Sequence, residues 1–102
     1  DVSKVWDVAK VLEEVETAMP PLRGVIHAAG VLEDGILLQQ NWAQFARVMA
    51  PKLKGAWNLH VLTQKLALDF FVTFSSVASL LGSPSQGNYA AANAFTDALA
   101  HY

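Results

Sequence analysis

The sequence predicts an α/β layer fold with parallel strands, and three observations carry that prediction. Two short apolar runs, GVIHAAG at 24–30 and DFFVTFSS at 69–76, have the length and the β-branched and aromatic content of strands. The stretches before, between and after them repeat apolar residues at three- and four-residue spacing, so the order reads helix, strand, helix, strand, helix. The connection between the two runs is long enough to hold a helix, which makes the strands parallel neighbours.

Taken in order, DVSKVWDVAKVLEEVETAMPPL opens with Ser3 as a candidate helix cap. Val5, Val8, Val11, Leu12 and Val15 form the apolar face, and Pro20 and Pro21 end the helix. GVIHAAG then reads as a strand buried on both faces. VLEDGILLQQ is a loop around Asp34 and Gly35, and Asn41 caps a second helix through WAQFARVMA. Pro51 interrupts that helix, and KLKGAWNLHVLTQ continues it along a bent path. After the second strand, SVASLLGSPSQG is a loop by its Ser, Gly and Pro content, and NYAAANAFTDALA is a third helix. The three tryptophans read as packing residues. Residue 1 and the final DALAHY both read as cut edges of a larger domain.

With 102 residues, 53% hydrophobic and 16% charged side chains, the chain supports a single core and no disordered class. The net charge of −2 and the scattered lysines and arginines argue against a nucleic-acid or anionic-membrane surface. No cysteine is present, which excludes disulfides and thiolate metal sites and fits a reducing cytoplasm. No pair of histidines or carboxylates has metal-ligand spacing.

In parallel sheets the working face lies beyond the carboxyl ends of the strands, here HAAG and TFSS. Lys52, the Ser75–Ser76 pair, Tyr89 and Asn93 all fall near that face, with Tyr89 and Asn93 at i and i+4 on one helix face. A phenol there becomes a useful acid when an ammonium stabilises its phenolate. A serine hydroxyl beside it can hold a carbonyl oxygen for proton transfer. That is apparatus for carbonyl reduction with hydride from a nicotinamide. Taken singly, each residue has a plainer reading: tyrosines on alanine-rich helices usually pack, serine pairs usually cap loops, and helix lysines usually face solvent. His27 and His60 likewise read as structural.

The stretches DVS, GVIHAAGVLEDG, APKLKGAWNLH, FFVTFSSVAS and GSPSQGNYAAANAF, in this order, resemble the C-terminal, catalytic part of the ketoreductase domain of modular polyketide synthases, a branch of the short-chain dehydrogenase/reductase superfamily. The likeness runs from residue 1 to residue 102 and implies a partial Rossmann-like fold whose N-terminal half is missing. It implies catalytic roles for Ser76 as binder of the substrate carbonyl, Tyr89 as proton donor, Lys52 as the cation behind Tyr89, and Asn93 as the fourth member. Most relatives in the superfamily carry lysine four residues after the tyrosine. YAAAN, with Lys and Asn exchanged, marks the polyketide and fatty acid synthase type. For the cofactor the resemblance implies NADPH, met by Asp1, His27, Ala28, Ala29, Gly30, Lys52 and Tyr89.

LED at 32–34 resembles the Leu-Asp-Asp motif of B-type ketoreductases, with Glu33 in place of the middle Asp. Leu32, Asp34, Pro84 and Asn88 are then the stereocontrol positions, and Leu81 stands where A-type enzymes have tryptophan. The implied reaction reduces a β-ketoacyl group, tethered to an acyl carrier protein through phosphopantetheine, to the D (3R) β-hydroxyacyl form within a parent megasynthase. None of the six glycines forms a GxGxxG turn, so the resemblance puts the pyrophosphate and 2′-phosphate sites upstream of Asp1, and the isolated chain is expected to be inactive. Two other readings stay open: a non-catalytic structural subdomain of a megasynthase, and a stand-alone dehydrogenase of small alcohols or sugars.

Overall fold

A computed structural model describes all of residues 1–102 and gives the elements α1 (Val5–Ala18), β1 (Gly24–His27), α2 (Trp42–Met49), a π-helical turn (Ala50–Gly55), α3 (Ala56–Thr63), β2 (Phe70–Thr73), α4 (Ala78–Leu81) and α5 (Gly87–His101). A single 3-10 turn, Leu37–Gln39, interrupts the loop before α2. The strands pair in parallel with Gly24 opposite Phe70 and His27 opposite Thr73. The predicted order and sense of the strands are both present.

Local signals explain most boundaries. Asn41 caps α2 with a full capping box: its side chain accepts from the Gln44 amide while the Gln44 side chain accepts from the Asn41 amide. Ser3, in contrast, does not cap α1. Its amide and hydroxyl both donate to the Asp1 carboxylate, at 2.9 and 2.8 Å, and Lys4 holds the cap position without a side-chain hydrogen bond. A local Asp-to-Ser turn has outcompeted the cap.

Pro51 does not break the chain of helical turns. Proline has no amide to give the preceding turn, and the wider π turn accommodates it between α2 and α3. The loop after β2 contains the short α4, whose four residues are too few for a sequence period to reveal.

The helices cover one face of the sheet, and the strands are not buried on both faces as the sequence predicted. Ile26, Phe70 and Val72 remain exposed because no element among these residues packs over them. The shape follows: the radius of gyration is 14.9 Å, against about 13 Å for a compact domain of this length. Trp6 and Trp42 are also exposed, against expectation, because they lie on the outer faces of α1 and α2. Only Trp57 joins an aromatic group, with ring centroids 5.5 Å from His60 and 6.1 Å from Tyr102.

Gly55 shows why the π turn can sit so close to the N-terminal segment. A Cβ there would lie 2.7 Å from Val2 Cγ1. No helix of the structure is long and apolar enough to cross a membrane.

Candidate functional site

A cleft of about 310 Å³ opens at the carboxyl ends of the two strands. Ala28 and Gly30 line it from the turn after β1, Val31 and Leu32 from the following loop, Lys52 from the π turn, Phe74 and Ser75 from the end of β2, and Tyr89 from α5. Five segments of the chain thus converge where parallel sheets carry their ligands.

Lys52 is buried at 5% exposure, and such a cation needs partners. Its ammonium donates to the Phe74 carbonyl at 2.6 Å and lies 5.6 Å from the centre of the Tyr89 ring, within cation–π range. The π turn makes this aim possible by setting Lys52 inward while Lys54 stays exposed.

His27 lies below the cleft rather than in its lining. Its Nε2 donates to the Pro51 carbonyl at 3.0 Å, which ties the end of β1 to the turn that carries Lys52. Burial holds its pKa below the ordinary 6.5, outweighing the Pro51 hydrogen bond, and the nearby Lys52 charge adds to the lowering.

Asn93 is fully buried and also stands behind the lining. Its Nδ2 donates to the Tyr89 carbonyl at 2.8 Å, one helical turn back, and its Oδ1 has no protein partner. Ser76 is half-buried, and its hydroxyl accepts the Ala78 amide at 3.2 Å, which leaves its own proton free to donate. The neighbouring Ser75, rather than Ser76, lines the cleft.

The loop at 31–36 is strapped to the start of α5 by contacts that bridge some fifty positions. Fully buried Asn88 donates through Nδ2 to the Glu33 carbonyl at 2.9 Å, while its Oδ1 accepts the Tyr89 amide at 2.7 Å. Asp34 accepts from Gln86 at 3.1 Å, and the Gly35 amide donates to the Ser85 carbonyl at 2.8 Å. Gln40 closes the strap by donating to the carbonyls of Gly35 and Ser85. Arg47 grips the Glu33 carboxylate with two hydrogen bonds and holds it below its ordinary pKa.

Of the predicted stereocontrol positions, Leu32 lines the cleft and Asp34 and Asn88 hold the strap, whereas Pro84 is an exposed turn residue before α5. Asp1 and Ala29 do not reach the cleft: Asp1 is exposed and engaged with Ser3, and Ala29 is exposed beside the lining residues. Gln40, Gln86 and Arg47 were not singled out from the sequence. Glutamine after a loop carries no signal of what it will clasp.

A parallel α/β layer with this converging set defines a short-chain dehydrogenase/reductase, and a Mycobacterium avium short-chain dehydrogenase superposes on it at 26% identity with a TM-score of 0.81, covering 96% of this chain and 37% of that one. Within that superfamily the chain belongs to the polyketide synthase ketoreductases: the KR domain family model matches residues 1–102.

Relatives include the phenolphthiocerol synthesis polyketide synthase Pks15/1 of Mycobacterium bovis, 47% identical over 98% of this chain and 5% of that protein. Polyketide synthase GfsE of Streptomyces halstedii is 50% identical over 98% of the chain and 3% of its own length. A ketoreductase domain from the bacillaene assembly line superposes with a TM-score of 0.96 at 39% identity, over the whole chain and 24% of that domain's chain. The chain therefore spans a small share of these synthases and about a quarter of the solved ketoreductase chain.

Proposed function

We propose that this chain is the C-terminal catalytic portion of an NADPH-dependent ketoreductase domain, which reduces a β-ketoacyl group tethered to an acyl carrier protein to the D (3R) β-hydroxyacyl form. The observation that carries the reading is the buried Lys52 ammonium over the Tyr89 ring inside the cleft. NADPH supplies the hydride when bound. The residues present fit its nicotinamide ribose end: Ala28 and Gly30 offer a wall of small side chains, and Lys52 and Tyr89 offer donors.

In this reading Tyr89 passes its phenolic proton to the carbonyl oxygen, and the developing phenolate faces a fixed positive charge. Ser76 gives the same oxygen a hydrogen bond and keeps its own proton. Asn93 fixes the helical turn below Tyr89, and Lys52 is kept in place by Phe74. Leu32, Asp34 and Asn88 shape the wall that selects the face of the ketone, as in B-type domains.

Replacing Tyr89 with Phe in the intact parent domain is expected to lower β-keto reduction by at least about a hundredfold. Turnover close to that of the unaltered domain would overturn the assignment.

The alternative reading is a non-catalytic subdomain of a megasynthase. Titration of NADPH against this chain and against a form extended toward its amino terminus separates the two: binding by the extended form supports the reductase, and no binding by either supports the scaffold.

A further inference from the structure

Ser76 follows β2, but α5 is what holds its turn in place. The Ser79 hydroxyl has two acceptors, the Asp97 carboxylate at 2.6 Å and the Ser76 carbonyl at 2.8 Å. It has one proton, and the charged acceptor is the stronger. The Ser76 carbonyl is served in any case by the Ser79 amide at 3.0 Å. The chain of contacts is therefore Asp97 to the Ser79 hydroxyl, the Ser79 amide to the Ser76 carbonyl, and the Ala78 amide to the Ser76 hydroxyl.

Asp97 stands two helical turns beyond Tyr89 and one beyond Asn93 on α5. The Ser75 hydroxyl lies 3.4 Å from the Asn93 carbonyl and within reach of the same carboxylate. The hydrogen bonds from Ser75 and then Ser79 hold Asp97 below its ordinary pKa, so the acceptor is ionised at neutral pH. Asp97 is absent from the cleft lining and touches no reacting position.

We propose that Asp97, acting through Ser79, is the positioning residue that fixes the Ser76 turn relative to Tyr89. One rigid helix then carries both the proposed proton donor and the anchor of the group that orients the carbonyl. The inference rests on the reductase reading above.

The test uses the intact parent domain and a short β-ketoacyl thioester, with the variants Asp97→Ala, Asp97→Asn, Ser79→Ala and Ser76→Ala, alone and with Asp97→Ala added to Ser76→Ala. Asp97→Ala and Ser79→Ala are each expected to lower kcat about tenfold while KM stays within about twofold. Asp97→Asn, which still accepts from Ser79, is expected to recover most of that loss. In the Ser76→Ala background, Asp97→Ala is expected to cost less than about twofold, because the group it positions is gone.

Full additivity with Ser76→Ala, or kcat unchanged by both Asp97→Ala and Ser79→Ala, would overturn the proposal. If Asp97→Ala does not fold, Ser79→Ala and Asp97→Asn decide it. Crystal structures of the Ser79→Ala and unaltered domains give a readout apart from turnover: an unmoved turn at 75–79 overturns the positioning role. A parent domain in which Tyr89→Phe and Ser76→Ala change nothing overturns the reductase reading instead.

Discussion

The two ends of the sheet are built on opposite plans. At the carboxyl end, Lys52, His27, Asn88 and Asn93 are buried, and each has a hydrogen bond to backbone from a distant or adjoining turn. At the amino end, an apolar groove of about 500 Å³ runs between the last turns of α1 and α3, lined by Leu12, Val15, Met19, Leu62 and Leu66. The ion pair nearby, Arg23 with Asp69, is exposed. A charged ammonium, an imidazole and two amides are thus desolvated where chemistry is proposed, whereas the charged pair beside the groove is left in water. A buried polar group stays only if its partners are fixed, so the carboxyl end is the stiff end.

Substitutions that strike the carboxyl end should therefore dominate. Lys52→Met in the intact parent domain is expected to lower β-keto reduction about a hundredfold, since a cation facing a developing phenolate is removed; retained turnover would erase the functional half of the contrast. Asn88→Leu should cost about 2 kcal/mol by urea unfolding, because the Glu33 carbonyl and the Tyr89 amide both lose a partner. Gly55→Ala should cost about 1 kcal/mol in the same assay, as the new methyl group drives Val2 aside.

The pH dependence sharpens the contrast further. The His27 pKa is lowered in the folded state, so below about pH 6.5 the unfolded chain takes up a proton that the buried imidazole refuses. Its stabilising effect is complete above that pH and is lost as pH falls toward the folded value. Unfolding measured across that range should show the slope, and His27→Gln should flatten it. Arg23→Ala at the opposite end should change stability by no more than about 0.5 kcal/mol, as an exposed pair does; a loss of several kcal/mol would mean that the two ends are not so different.

Legibility followed the same division. Helix and strand order was readable because apolar spacing and crossover length are properties of neighbouring residues. Asn41 announced its cap, whereas Ser3 offered the same signal and spent its hydrogen bonds on Asp1. The two-sided burial of the strands was misread because an apolar run reports what a strand would bury, and nothing in it reports what is there to cover it. At the site, Lys52 and Tyr89 were legible through the resemblance, and the cleft does bring them together. The strap through Gln40 and Gln86, and the contact of Ser79 with Asp97, were not. Each joins side chains far apart in the sequence, and no local period encodes such a meeting.

The π turn at Ala50–Gly55 has a consequence for how the chain tolerates change in length. It takes up one residue beyond an ordinary turn and lets the helices on either side keep their own partners: α2 before it packs on α5, and α3 after it packs on α1. Each α-helical residue advances the direction of a side chain by about 100°. Deleting one residue here would convert the wide turn to an ordinary one while leaving α2 in register. The ordinary turn completes its circle with about one residue fewer, so α3 would keep the face it turns to α1, and a deletion that elsewhere in these helices would rotate everything that follows is absorbed here.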